Sequence, residues 1–193
     1  MYEEIICAAC DEFELPEILD NCIPEQNESE IAYIFVAKPS AVDPDVSAVT
    51  APDWTSQTAV ATAYAGTNGF MLRVIGDMPE PETAQRVVSA GRIARDKKTF
   101  VVNITVDDTN DTNYEATRAL ECNPELFLHY MTKGGKVYGG DTGIKVQVSK
   151  SNAPLDRGDG TYERFEWAFT WKHKNHPPRE NGWLYQGEII PIP

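Results

Sequence analysis

Four cysteines and a few polar clusters are the residues in this chain whose types and spacing could do chemistry. Cys7-Ala-Ala-Cys10 has the spacing of a zinc knuckle, and Cys22 or Cys122 could complete a tetrahedral thiolate set. No second closely spaced Cys or His pair follows, as finger-like zinc sites usually show. Cys7 and Cys10 therefore read equally as small buried residues, and no strand–CxxC–helix pattern marks them as a redox pair. Cys7, Cys10, Cys22 and Cys122 stand as zinc candidates, while the pattern as a whole calls for no cofactor.

The run Asp107-Asp-Thr-Asn-Asp-Thr-Asn resembles a calcium loop in composition. It lacks the central glycine and the distal bidentate glutamate of such loops, and helix capping accounts for the same residues. Gly134-Gly135 and Gly139-Gly140-Asp-Thr-Gly143 suggest a phosphate cradle, but no Gly-Lys-Ser/Thr follows and the context is a hairpin. They read as turn and bulge positions. Of the three histidines, His129 falls on the hairpin and reads as structural, while His173 and His176 sit in a polar loop. No serine lies in a nucleophile elbow, and no cysteine has an obvious His and acid partner. The expectation is a protein that is not an enzyme and has no catalytic residues.

Charge is unevenly placed. The formal net charge is -13, and ten of the 30 acids precede the first base, Lys38: Glu3, Glu4, Asp11, Glu12, Glu14, Glu17, Asp20, Glu25, Glu28 and Glu30. An acidic surface offers no electrostatic attraction to phosphate backbones, but it suits a wall that DNA slides past without sticking. Solubility alone is the plainer reading. The start MYEEIICAAC is acidic where a secretory signal would be basic, and no apolar run approaches membrane-spanning length. Both point to a protein made in a cytoplasm, or kept in a particle built there.

The elements that would position these residues are mostly strands. Residues 1–29 read as an acidic arm interrupted by Pro16 and Pro24, and residues 30–193 as one β-rich structural domain. Ile31–Ala37 is apolar on both faces and predicts a core strand. Residues 39–52, with Pro39, Pro44 and Pro52, form a long loop suited to contacts between subunits. Asp53 is placed to cap a short helix to about Ala63, and Phe70–Ile75 reads as a strand ended by Gly76. Pro79 and Pro81 mark an irregular stretch, and the bases Arg92, Arg95, Lys97 and Lys98 suit contact with phosphate or an acidic arm, although as a solvated strand entry they need neither. In residues 98–106, Phe100, Val102, Ile104 and Val106 point one way. Asn110 or Thr112 caps a helix of about ten residues, Leu126–Met131 and Lys136–Tyr138 make a hairpin, and residues 144–149 alternate as a strand. Phe165, Trp167, Phe169 and Trp171 give the next strand one strongly apolar face. The hydrophobic stretch from Trp183 to Pro193 should dock on the subunit or a neighbour. A single β-sandwich or barrel with one packed helix and extended ends follows.

The middle of the chain is similar to a known group. "WTS" at Trp54, "GFMLRVIGDMPEPE" at 69–82, "TFVVNITVDDTNDTNYEATRALEC" at 99–122 and "FLHYMTKGGKVYGGDTGI" at 127–144 resemble segments of virion structural proteins of tailed phages of Bacteroidetes, including crAss-like phages. The resemblance is best over residues 55–145. It implies a tail-tube or neck-ring subunit, located in the virion, whose partners are copies of itself, neighbouring virion proteins and genomic DNA passing without specific binding. The alternative from the residues themselves is a carbohydrate- or protein-binding β-sandwich module with Trp167, Trp171 and Trp183 as contact aromatics.

Overall fold

The computed structural model describes residues 28–65, 68–89, 92–122, 125–152 and 164–183. The acidic arm lies outside the described residues except for Glu28 and Ser29, as does the apolar stretch after Trp183.

The chain is mainly β. Its elements in order are β1 (Ile31–Ala37), α1 (Gln57–Tyr64), β2 (Gly69–Gly76), β3 (Glu82–Ser89), β4 (Arg92–Val106), α2 (Asp111–Cys122), β5 (Glu125–Thr132), β6 (Lys136–Tyr138), β7 (Ile144–Asn152), β8 (Phe165–His173) and β9 (Arg179–Asn181). The antiparallel ladder runs β1–β2–β4–β8–β7–β5, and β5 pairs back onto β1. These strands therefore form a closed barrel, which removes the open edges a sheet would otherwise present. Outside it, β6 extends from β5, β9 from β6, and β3 pairs, among the described residues, only with β4.

The barrel interior follows the alternation in the sequence. Phe100, Val102, Ile104 and Val106 of β4 face Trp171, Phe169, Trp167 and Phe165 of β8 in register, and all eight are buried. Phe100 and Trp171 stack with ring centroids 5.1 Å apart. Ile34, Val36, Leu128, Tyr130 and Val146 complete this core.

β1 and β5 have no polar face because each is buried twice. Tyr33, Phe35 and Ala37, with Phe127 and Met131, point away from the barrel into a second core under Val49, Trp54, Val60 and Tyr64. A strand covered on both faces loses its period-two pattern, which is why Ile31–Ala37 is apolar throughout.

Among the described residues there are two helices, where the sequence supported one convincingly. Ser56, not Asp53, caps α1: its Oγ accepts from the Ala59 amide at 3.3 Å. Asp53 instead closes a turn, its Oδ1 accepting from the amide and the hydroxyl of Thr55. Those two donors hold its carboxyl below the usual carboxylate range. Asn110 caps α2 as the sequence predicts, accepting from the Asn113 amide at 2.8 Å. α2 packs on β7 and β8 and gives Leu120 to the barrel core. Thr117 ties it there, because its hydroxyl accepts from Trp167 Nε1 at 3.2 Å and its carbonyl accepts from Ser151 Oγ at 2.9 Å.

Candidate functional site

Two regions outside the barrel interior have groups capable of more than packing. The first surrounds His129 on the outer face of β5. Its neighbours Leu128 and Tyr130 point into the barrel, so its own side chain enters the second core, where it is 1% exposed. Nε2 lies 2.7 Å from the Gly140 carbonyl, which can only accept, so Nε2 carries the proton. Nδ1 is then the acceptor for the Tyr64 hydroxyl at 2.8 Å. The Trp54 ring lies 4.9 Å from the imidazole, centroid to centroid. Gly139 and Gly143 let the loop close over the ring. A Cβ at Gly139, whose φ is +138°, would stand 2.4 Å from Cδ2, and one at Gly143 would stand 2.9 Å from Cε1.

Burial pushes the His129 pKa down to about 4, against smaller upward effects from the Gly140 carbonyl and the Asp141 charge. Burial also pushes the Tyr64 hydroxyl well above the ordinary tyrosine value. Both groups are therefore neutral near pH 7, and each ring nitrogen is occupied. Among the described residues no buried side-chain nitrogen or oxygen lacks a partner. This arrangement fastens α1 and the glycine loop to β5, the structural role the sequence assigns to His129. The glycines do serve as turn positions, with positive φ at Gly135, Gly139, Gly140 and Gly143.

The second region lies where β2 hands over to β3. Both run antiparallel to β4: Gly76 is opposite Ile104, and Glu82 is opposite Thr99. Between them residues 77–81 leave the ladder. Pro79 and Pro81 have no amide hydrogen to donate, so this stretch cannot pair continuously. The gap opens a cavity of about 700 Å³ between residues 77–82 and the outward side chains of Thr99, Val101 and Asn103, with Ser29 in its wall. Val101 is 39% exposed and nearby Ile75 is 50% exposed.

Past this gap the chain leaves the barrel. β4 is 15 residues long, yet its pairing with β8 begins only at Lys98. From Arg92 to Lys97 its sole strand partner among the described residues is β3, and β3 has no other among them. The result is a two-stranded ribbon rooted at the Glu82–Thr99 pair. At about 3.3 Å per residue, the six residues beyond Lys98 project it by roughly 20 Å. Its sequence carries Arg86, Arg92, Arg95, Lys97 and Lys98 against Glu82 and Asp96, a basic excess in a chain of net charge -13. Among the described residues no further strand pairs with either outer edge of this ribbon.

The expected solvated strand entry at Arg92 to Lys98 is thus part of a hairpin. The sequence reasoning missed β3 altogether. Its signal was Thr83-Ala-Gln-Arg-Val-Val-Ser followed, after Ala90-Gly91, by Arg92-Ile-Ala-Arg.

Of the zinc candidates, Cys7, Cys10 and Cys22 lie outside the described residues, and Cys122 is exposed at the end of α2. Among the described residues no group of three or more His, Cys, Asp and Glu side chains comes together. The acidic run at 107–113 caps α2. His173 and His176 are exposed, and the His176 ring edge meets Phe100 at 5.4 Å. Trp167 and Trp171 are buried in the barrel, and Trp183 is partly buried against Tyr33 and Phe35. The first two are therefore not available as surface contact aromatics.

No helix among the described residues is long and apolar enough to cross a membrane. Comparison with protein-family models, with curated proteins and with solved structures gives no significant match.

Proposed function

We propose that this chain is a structural subunit of a phage particle, a tail-tube or neck-ring component that assembles with copies of itself into a ring or tube through which DNA passes. The supporting observation is the β3–β4 ribbon. A two-stranded ribbon is marginal in water by itself and becomes stable when a third strand or a packed surface is added. The barrel cannot add that strand, because it is closed. A neighbouring copy can, and a ribbon laid on a different patch of the next subunit makes a head-to-tail contact that closes into a ring when the rotation allows.

The acidic balance fits the same role, since a like-charged wall lets a polyanion pass without binding. The resemblance of residues 55–145 to virion structural proteins points the same way. In this reading the subunit is made in the host cytoplasm, resides in the virion beside other virion proteins, and does its work without a catalytic residue.

Negative-stain microscopy of the purified chain tests the proposal, and rings or tubes are the expected result. A stable monomer at high concentration that also captures no sibling protein from its native particle would overturn it.

A further inference from the structure

We propose that the barrel end from which the ribbon projects docks on the opposite end of a second copy, lysines against aspartates. The inference rests on the assembly reading above and names the patch of the neighbour on which the ribbon's root comes to lie.

The first end is basic. Where β4 enters the barrel, Lys98 stands opposite His173 and Thr99 opposite Lys172. Lys97, Lys172, His173 and Lys174 are exposed there, and Lys98 is half-buried. The two segments bring four lysines together without an acid in either, in a chain of net charge -13. The carboxylates of this end, Asp77, Glu80 and Glu82, lie to the β2 side around the cavity.

The same strand ends acidic. β4 stops at Val106, and the exposed Asp107, Asp108 and Asp111 follow at the start of α2. Arg164 Nε lies 3.2 Å from Asp107, and the Arg118 guanidinium 3.4 Å from Glu115, so those two bases are already engaged. Among the described residues no ion pair joins Asp108 or Asp111. Beside them Tyr114 is 41% exposed. An exposed tyrosine among carboxylates fits a lysine surface: the ring takes the aliphatic stems and the carboxylates take the ammonium groups.

These ends cannot meet within one copy. Nine consecutive pairs with β8 run from Lys98 to Val106 and hold the two ends roughly 25 Å apart. A second copy in the same orientation brings them together, and a contact between two different patches propagates head to tail. A nucleic acid is the poorer occupant of the basic end, because the net charge of the chain repels it. Exposed ion pairs are weak one by one. The contact therefore sets which faces meet and in which direction, and the ribbon rooted beside it holds the copies together.

Zero-length carbodiimide cross-linking of the full chain tests this. Equal amounts of unlabelled and 15N-labelled protein are mixed at high concentration, and linked peptides are read by mass. The expected result is linkage of Lys98, Lys172 or Lys174 to Asp108, Asp111 or Glu115 across isotopes. It should fall several-fold near 1 M salt, where the screening length is about 3 Å. Charge exchange gives a second readout. The triple variant Lys98→Glu, Lys172→Glu, Lys174→Glu reverses the basic end, and the double variant Asp108→Lys, Asp111→Lys reverses the acidic one. Each alone should assemble several-fold less than the parent in sedimentation velocity, and an equal mixture of the two should recover the parent's assembly. Circular dichroism confirms that both are folded, and where one is not, the cross-linking of the parent decides.

Absence of that linkage, linkage within one isotope only, or a mixture of folded variants that assembles no better than its components would overturn the proposal. Unchanged assembly of the triple variant with loss of binding to a DNA duplex would give the basic end to phosphate backbones and overturn it too. Rings or tubes formed without this linkage remove this inference alone. Linkage across isotopes in a chain that forms neither rings nor tubes removes the assembly reading alone.

Discussion

The outer face of β5 and the foot of the β3–β4 ribbon are both places where the barrel meets further chain, and they are finished in opposite ways. At His129 every polar atom has a partner drawn from the same subunit: Tyr64 for Nδ1, the Gly140 carbonyl for Nε2. The glycines around it remove the side chains that would hold the loop away. At the foot of the ribbon, Pro79 and Pro81 interrupt the ladder, a cavity stays open, and among the described residues the two strands beyond it pair only with each other. A buried polar cluster left incomplete is costly, so the fold completes it. A strand edge in water carries no such penalty, so on the proposed reading the ribbon can be left for a second molecule. On the proposed reading, the difference separates what the subunit needs in order to fold from what it presents.

If the first kind of region is internal scaffolding, damage to it should appear as lost stability. The largest effect belongs to the barrel core. Trp167→Ala should cost about 3–5 kcal/mol, since it removes a fully buried ring and the donor to Thr117. Chemical denaturation reads this directly, and an unchanged midpoint would mean that the β8 face is not core.

Gly139→Ala comes next, at about 3 kcal/mol, because its Cβ collides with His129 at a backbone angle that disfavours side chains. A variant as stable as the parent would show that the glycine loop does not close on His129.

Acid should probe the same cluster without mutation. The folded His129 pKa of about 4 lies below the unfolded value of 6.5, so the unfolded chain binds the extra proton first. The stability this group contributes is present above about pH 6.5 and is lost as the pH falls toward 4. The loss is about 3 kcal/mol on the linkage relation. Comparing the parent with His129→Gln across that range isolates it. Equal pH slopes in the two proteins would mean that His129 is not buried neutral.

Tyr64→Phe should cost about 2 kcal/mol, the penalty for leaving Nδ1 without its donor. The smallest effect belongs to the open region. Val101→Thr, on the cavity wall and partly exposed, should change folding stability by less than about 0.5 kcal/mol. A large loss there would erase the distinction between the two regions.

The parts of this fold legible in the sequence are those where one face meets the core. Phe100, Val102, Ile104 and Val106 announce β4, and Phe165 to Trp171 announce β8, because alternation survives where the other face is wet. Asn110 announces α2 for a similarly local reason, since a cap and its amide lie three residues apart. The ribbon was not legible, because beyond Lys98 there is no barrel interior to impose a pattern on β3 and the first half of β4. Two prolines just before β3 also suggested an irregular stretch. Closure of β5 onto β1 rests on pairs such as Ile34 with Tyr130, a separation no local signal encodes. His129 was recognised as structural from its place in the hairpin. Its partner Tyr64 stands 65 residues away in the chain, and its cavity is shaped by glycines that look like ordinary turn residues.

The central claim is that the ribbon, and not the barrel, carries assembly. Sedimentation velocity of the full chain beside a chain in which residues 84–97 are replaced by a two-residue Asn-Gly turn tests it most directly. The turn suits the adjoining pair of Thr83 and Lys98. The account predicts rings or tubes from the full chain, and a folded monomer with a nearly unchanged melting temperature from the shortened one. A shortened chain that assembles as readily as the full chain would contradict it.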